Sequence, residues 1–173
     1  RSGAILWSRP GDGELLMHDG RHVLASARRP KGFGLDAVLL DAATGSELGR
    51  IDNWHVAHAF FVNEQAELPQ EHIWRNGRAV ASGQGGAVLN WREERRELEL
   101  WDFSPFGKAW SVTLAQDHGG EVWVIDHIIT KNEVLLIVAE NKSLNRPRTE
   151  AVVAHRLERR DRRTGALTWV QPL

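Results

Sequence analysis

No cysteine occurs among the 173 residues of the chain, which excludes disulfide bonds, thiolate metal sites and thiol nucleophiles. No long hydrophobic run occurs either: the longest apolar stretches are about six residues, as in 134–139, whereas a membrane-spanning helix needs about 20. Positive and negative charges nearly cancel at a formal net charge of -1, so no overall field draws the chain to nucleic acid or to an anionic membrane. We therefore expect no membrane span and no nucleic-acid partner.

Tyrosine is absent as well, although the chain has eight tryptophans. Tryptophan supplies a large buried area, so we interpret most of these side chains as packing residues. Hydrophobic residues make up 42% of the chain and charged residues 26%, which is ordinary for a folded domain of this length. The first residue is Arg1 and no signal peptide is visible, so we expect the chain to belong to a longer protein, and its compartment is not indicated.

The two ends of the chain carry nearly the same sequence. Residues 1–10 read RSGAILWSRP and residues 163–172 read RTGALTWVQP, with Arg, Gly, Ala, Trp and Pro in register. Weaker copies lie between them, in DAATGSELGR and DFSPFGKAWS. Internal repeats stack into one composite fold, so we predict a single repeat region over 1–173. Alignment of the glycines divides it into approximate units 3–45, 45–107 and 107–165, followed by a closing strand at 165–173.

Strand patterns dominate the sequence between these glycines. Short runs rich in Val, Ile, Leu and Trp are separated by Gly, Asn, Asp and Pro, which favour turns. A charged segment at 92–96 predicts a hairpin turn, in preference to a short helix over 92–101. The predicted fold class is all-β: consecutive four-stranded antiparallel sheets, about three in number, like the blades of a propeller. Further hairpins are predicted at Asp19-Gly20, Thr44-Gly45, Asn76-Gly77, Lys131-Asn132 and Thr164-Gly165.

Two segments place an Asp, two spacer residues, a Thr-Gly pair and an apolar strand in the same order. The matching residues are Asp41, Thr44, Gly45 and Leu48 in the first, and Asp161, Thr164, Gly165 and Trp169 in the second. Gly3 and Trp7 match at the N-terminus, and Gly107 and Trp110 match with one residue missing and no Thr. This order resembles the repeat of PQQ-like (quinoprotein-type) β-propellers. In such a repeat Asp and Thr cap a tight turn, Gly supplies its positive φ and Trp covers the neighbouring blade.

WD-repeat propellers are the runner-up, because Leu100-Trp101-Asp102 is similar to their strand end. Either resemblance implies an architecture rather than an activity. Propellers close with roughly four to eight blades, so three blades imply a piece of a larger ring or closure against another chain. Open blade faces would otherwise expose apolar surface.

The resemblance also bears on cofactors. Quinoprotein dehydrogenases hold PQQ with a metal and stacking side chains, and many of them place vicinal cysteines near the cofactor, which this chain lacks. Many relatives keep the fold without the cofactor. We therefore predict no cofactor and no catalytic residue.

Histidines are the first candidates for chemistry. His55 and His58 would share a face on a helix, but on a strand they point to opposite faces and do not chelate one ion, so a surface or structural role is favoured. His118 precedes the strand 121–129, and we interpret it as a structural residue that bonds across the blade. His127 and Asp126 face opposite sides of that strand and form no relay by themselves.

A cluster of arginines near the C-terminus could contact phosphate groups. A solvated hairpin edge, guarded by charge against strand pairing, is the favoured interpretation. The cluster consists of Arg156, Arg159, Arg160, Arg162 and Arg163.

The predicted function is a non-catalytic β-propeller module, a scaffold or sensor that binds a protein or peptide partner, or the remaining blades of the same propeller. Two alternatives stay open: a fragment of a PQQ-dependent quinoprotein oxidoreductase, and a small β-sandwich or barrel binding domain with accidental repeats. Loop positions are the predicted partner contacts, namely Trp54, His55, His58, Arg146 and Arg148.

Overall fold

The computed structural model describes residues 5, 7–9, 15–29, 35–54, 86–92, 95–142 and 153–173. These residues form β-strands and no α-helix, which confirms the predicted all-β class. In chain order the strands are β1 (Leu15–His18), β2 (His22–Arg28), β3 (Leu35–Asp41), β4 (Glu47–Trp54), β5 (Ala87–Arg92), β6 (Glu97–Phe103), β7 (Phe106–Thr113), β8 (Val122–Ile129), β9 (Glu133–Asn141), β10 (Val153–Asp161) and β11 (Leu167–Pro172).

Three consecutive antiparallel sheets contain these strands, and each is a simple meander in chain order. The first sheet consists of β1–β4, the second of β5–β7 and the third of β8–β11. The second sheet has three described strands where the repeat predicts four. Within the described residues the three sheets do not close into a ring. A β-sandwich has two packed sheets, so three sheets argue against that alternative.

The tight turns form where the sequence predicts them. At Asp19-Gly20 the carboxylate accepts the backbone N–H groups of Arg21 and His22 at 2.9 and 2.7 Å, and Gly20 has a φ of 91°. β5 and β6 pair antiparallel on either side of the charged segment, which confirms the hairpin over the helix. Lys131-Asn132 likewise connects β8 to β9, whereas Asn76-Gly77 lies outside the described residues.

The second sheet lies between the other two, and alternation along β6 shows this directly. Leu98 and Leu100 belong to a buried cluster shared with Leu136 of the third sheet. Phe103 belongs to a second cluster, shared with Leu24 of the first sheet. Successive side chains of a strand point to opposite faces, so the second sheet uses one face for each neighbour.

We call the front face of a sheet the one that carries Leu39 in the first sheet, Leu100 in the second and Arg159 in the third; the back face is opposite. The front of the first sheet packs on the back of the second, because Leu39 shares a cluster with Phe103. The front of the second packs on the back of the third, where Leu100 meets Leu136. The sheets therefore stack in one direction, each front against the next back.

Candidate interaction surface

Two turns of the chain share one hydrogen-bonding pattern. Asp41 accepts the N–H and the hydroxyl of Thr44 at 2.8 and 2.9 Å, and Asp161 accepts those of Thr164 at 2.8 and 2.7 Å. These bonds hold the pKa of both Asp carboxyls below the ordinary value, because they favour the charged form. The glycine that follows each Thr has a φ of 72°. The Asp, Thr and Gly of the repeat thus build the same turn twice.

A tryptophan covers each of these turns. Trp7 donates its indole N–H to the carbonyl oxygen of Ala42 at 2.9 Å, and Trp110 donates to the carbonyl of Arg162 at 2.8 Å. Each ring lies on the turn glycine so closely that an added Cβ would meet ring atom Cδ2 at 2.7 Å on Gly45 and 2.8 Å on Gly165. Glycine is therefore needed twice over, for its positive φ and for the ring.

In the contact between the first and second sheets, the large aromatic ring comes from the later sheet and the glycine from the earlier one. Gly49 of β4 stands at the position that Trp110 occupies on β7, since Leu39 pairs with Gly49 as Leu100 pairs with Trp110. The ring of Phe106, from the second sheet, lies against Gly49 and leaves no room for a Cβ. At this contact the aromatic ring comes from Phe106, the first residue of β7 in the second sheet. Gly49, in β4 of the first sheet, leaves the space that the ring occupies.

Trp169 is the third member of this set. Arg159 pairs with Trp169 across β10 and β11, in the register that joins Leu100 to Trp110. Trp169 therefore lies on the front face of the third sheet, where a turn of a following sheet would receive it. In the described part of the chain no sheet follows, and Trp169 is 41% exposed.

The exposure extends along a whole row of the third sheet. The cross-strand pairs place Ile128, Leu135, Arg159 and Trp169 side by side on its four strands, and we call these four residues the third-sheet front row. Ile128 is 52% exposed, and Leu135 is half-buried. Burial of this row is therefore incomplete.

The matching rows of the other sheets are buried. In the first sheet Leu24 and Leu39 share a row and are 1% and 0% exposed. In the second sheet Leu89, Leu100 and Trp110 share a row and are also buried. A row that is core in two sheets is surface in the third.

The back face of the third sheet carries buried charges instead. Arg156 Nε lies 2.7 Å from Glu158 Oε1, and Arg160 Nη2 lies 2.7 Å from Glu158 Oε2. Arg160 also donates to the carbonyl of Gly165 at 2.9 Å, and Arg156 donates to that of Ala115 at 2.8 Å. The predicted solvated edge is therefore wrong for Arg156 and Arg160. Their guanidinium groups are paired inside the protein, where phosphate does not reach them.

A second buried carboxylate lies on the back face of the second sheet. Glu99 is within 3.0 Å of both Asn90 Nδ2 and Arg92 Nε, and it also accepts from Trp101 Nε1 and Lys108 Nζ. Burial alone would raise the pKa of Glu99, but the hydrogen bonds from these four groups lower it below the ordinary value. These four groups all point at one carboxylate, which is the pattern of a structural network, although Asn90 Oδ1 has no partner among the described residues.

Of the predicted partner contacts, the structure describes one. Trp54 lies at the end of β4, 6% exposed, in the cluster between the first and second sheets. A side chain in this place offers little surface to a partner, and its role in binding stays a prediction. The other four, His55, His58, Arg146 and Arg148, lie outside the described residues.

The two other histidines of the sequence analysis are described. His118 lies in the segment before β8, and its backbone N–H donates to Glu140 Oε1 at 2.6 Å. His127 is buried on the back face of the third sheet, beside Leu136, while Asp126 is exposed on the other side. The prediction that His127 and Asp126 face opposite ways is confirmed.

Sequence reasoning did not single out Trp169 as a surface residue. The signal was present in the repeat alignment, because Trp7, Trp110 and Trp169 follow equivalent glycines. What the alignment lacks is the direction in which the sheets stack. Only that direction shows that Trp7 and Trp110 have a turn to cover and that Trp169 has none among the described residues.

The described residues include no helix long and apolar enough to cross a membrane. They also include no group of three or more histidines or carboxylates placed to hold a metal ion. Comparison of the chain with models of known protein families gives no match, and comparison with curated proteins gives none.

Proposed function

We propose that the chain is a non-catalytic β-propeller module that binds a protein or peptide partner and acts as a scaffold or sensor. The observation that carries the proposal is the exposure of the third-sheet front row, whose counterparts in the first and second sheets are core. Apolar side chains that repeat a core pattern at the surface mark an interaction site.

The chemistry of this surface suits a polypeptide. Trp169 presents a large ring with an N–H donor, and tryptophan is among the residues that dominate binding energy at protein interfaces. Leu173, the residue after β11, adds exposed apolar area, whereas the exposed Leu167 and Val170 pair with Arg160 and Glu158 and so lie on the back face. β11 is also the edge strand of the third sheet, so its backbone can pair with an extended segment of a partner.

The PQQ-like repeat is part of the proposal, because the two Asp-x-x-Thr-Gly turns and their tryptophan covers are the contacts that such a repeat implies. The Trp110 contact joins two sheets, the Trp7 contact fixes the N-terminal segment on the first sheet, and neither involves a reacting group. They support a scaffold in which blades serve as a frame.

A peptide selection tests the proposed function. A random peptide library is selected on the purified chain, and the affinity of the selected peptides is measured by calorimetry. We expect Trp169→Glu to weaken binding about tenfold or more, since truncation of a central anchor costs at least this much. Leu48→Glu is the matched control, because Leu48 is 44% exposed on the outer strand of the first sheet, and we expect it to change affinity by less than about twofold.

Two results contradict the proposal. One is a selection that yields no peptide, or one whose peptides bind Trp169→Glu with the same affinity as they bind Leu48→Glu and the unsubstituted chain. The other is uptake of PQQ in the presence of calcium, seen as a new absorbance band together with dye-linked alcohol oxidation, which would favour the oxidoreductase.

A further inference from the structure

We propose that the third-sheet front row docks on the first sheet of a second copy of this chain, so that two copies joined head to tail form one ring of six sheets. This inference rests on the proposed function, because it names the partner of the surface described above. Trp169 of one copy occupies on the other copy the place that Trp7 holds in the single chain.

The first sheet already binds a tryptophan at its turn. Trp7 donates to the carbonyl of Ala42 at 2.9 Å, and its ring lies on Gly45. Trp7 ends the segment GAILW at 3–7, and Trp169 ends the segment GALTW at 165–169. The turn therefore offers the carbonyl and the glycine that Trp169 requires, and it accepts a segment of nearly the same sequence.

The contact of the second sheet with the third shows how a whole sheet makes this connection. There Trp110 covers the turn at Gly165, while Leu89 and Leu100 of the same row pack in the shared cluster. In the described part of the chain Trp7 belongs to no sheet. A docked third sheet brings Ile128 and Leu135 along with its tryptophan, and burial of this apolar area favours association.

Docking is an exchange. Trp7 already occupies the turn, and Val38 and Leu40 on the back face of the first sheet are buried, so the incoming sheet replaces contacts that the single chain makes with itself. The exchange breaks the ion pair of Arg9 with Glu47 at 2.7 Å, an exposed contact of the kind that contributes little. Gln171 stands two residues after Trp169 as Arg9 stands after Trp7, and its amide can donate to the same carboxylate.

The number of sheets fits a closed ring. The described part of each copy has three sheets, so two copies give six, within the roughly four to eight of known propellers. Each copy uses its front at one end and its back at the other. A twofold axis then makes both contacts identical, and each face of the described sheets has a neighbour in the ring.

Sedimentation velocity on the purified chain tests the inference, over about 1 to 100 µM, the range of moderate protein affinities. We expect a dimer whose fraction rises with concentration. Trp169→Glu should leave a monomer that still unfolds cooperatively, because its side chain is exposed in the single chain. Trp7→Ala should instead raise the dimer fraction, since it weakens the segment that competes for the turn.

Ala109→Glu is the matched control, because Ala109 is exposed on the outer strand of the second sheet, away from both ends of the stack, and we expect it to dimerise like the unsubstituted chain. A monomer at every concentration overturns the inference, as does a Trp169→Glu variant that dimerises normally or a Trp7→Ala variant that dissociates. A monomer that binds selected peptides through Trp169 would refute only the second copy as partner. Loss of peptide binding as well would refute the proposed function.

Discussion

At the scale of single residues, His127 is a buried histidine. Its neighbours on the back face of the third sheet include Leu136, and among the described residues its Nε2 atom has no hydrogen-bond partner. Burial lowers the pKa of His127 below its ordinary value, and the charge of Asp126 opposes this only in part. The unfolded chain therefore binds a proton that the folded chain excludes.

This exclusion predicts an acid-sensitive stability. Below about pH 6.5, the ordinary pKa of histidine, the unfolded state binds more protons, so the free energy of unfolding falls as the pH falls, by at most about 1.4 kcal/mol per pH unit for one group. His127→Leu should reduce the loss of stability between about pH 7 and pH 5, measured by urea unfolding at each pH. Equal losses in both proteins would show that His127 is not the group responsible; the remaining histidines are common to both and cancel.

Gly165 is needed for its backbone and for the ring above it. Gly165→Ala should destabilise the fold by about 2–4 kcal/mol, since a positive φ and contact with Trp110 both oppose a Cβ. Gly20→Ala isolates the cost of the φ, because a Cβ added there meets no atom of the described residues within 4 Å. Gly107→Ala has neither cost and should stay within about 1 kcal/mol. Thermal and urea unfolding measure all three, and equal effects at Gly165 and Gly107 would contradict the description of the turn.

At the scale of elements, β10 depends on its buried ion pairs. Glu158→Ala leaves Arg156 and Arg160 without their shared carboxylate, and loss of one partner from a buried ionic cluster costs about 3 kcal/mol or more. Glu133→Ala is the control on the same sheet, because among the described residues the Glu133 side chain makes one exposed pair, with Arg159 at 3.7 Å, worth at most about 1 kcal/mol. A Glu158→Ala variant as stable as Glu133→Ala in urea unfolding would show that the cluster does not stabilise the strand.

The same strand shows what sequence could and could not predict. The turn after β10 was predictable, because Asp161, Thr164 and Gly165 make it with local hydrogen bonds and a local φ. The burial of Arg156 and Arg160 was not. Alternation places them on one face with Glu158, but a distant sheet decides which face is covered. Trp54 is a similar case: it precedes the histidines in sequence, yet its ring lies in a cluster built with the second sheet.

At the scale of the whole molecule, three meanders stack with every front against the next back. The order of hairpins along the chain was predictable from turn chemistry, since each meander closes within short stretches of sequence. The stacking depends on contacts between distant residues, such as Arg162 with Asp102, which are 60 positions apart. The exposure of the third-sheet front row follows from this stacking, so the sequence of β11 by itself does not predict it.

The two sheet contacts are not interchangeable. Between the second and third sheets, the indole ring of Trp110 in the earlier sheet packs on Gly165 of the later one. Between the first and second sheets, the ring of Phe106 in the later sheet packs on Gly49 of the earlier one. A first sheet placed before the third would set Gly49 opposite Gly165 and leave a void. The positions of the large side chains and of the glycines thus help to select the neighbour of each sheet, and an order that put the first sheet before the third would mismatch at that junction even though each hairpin still folded.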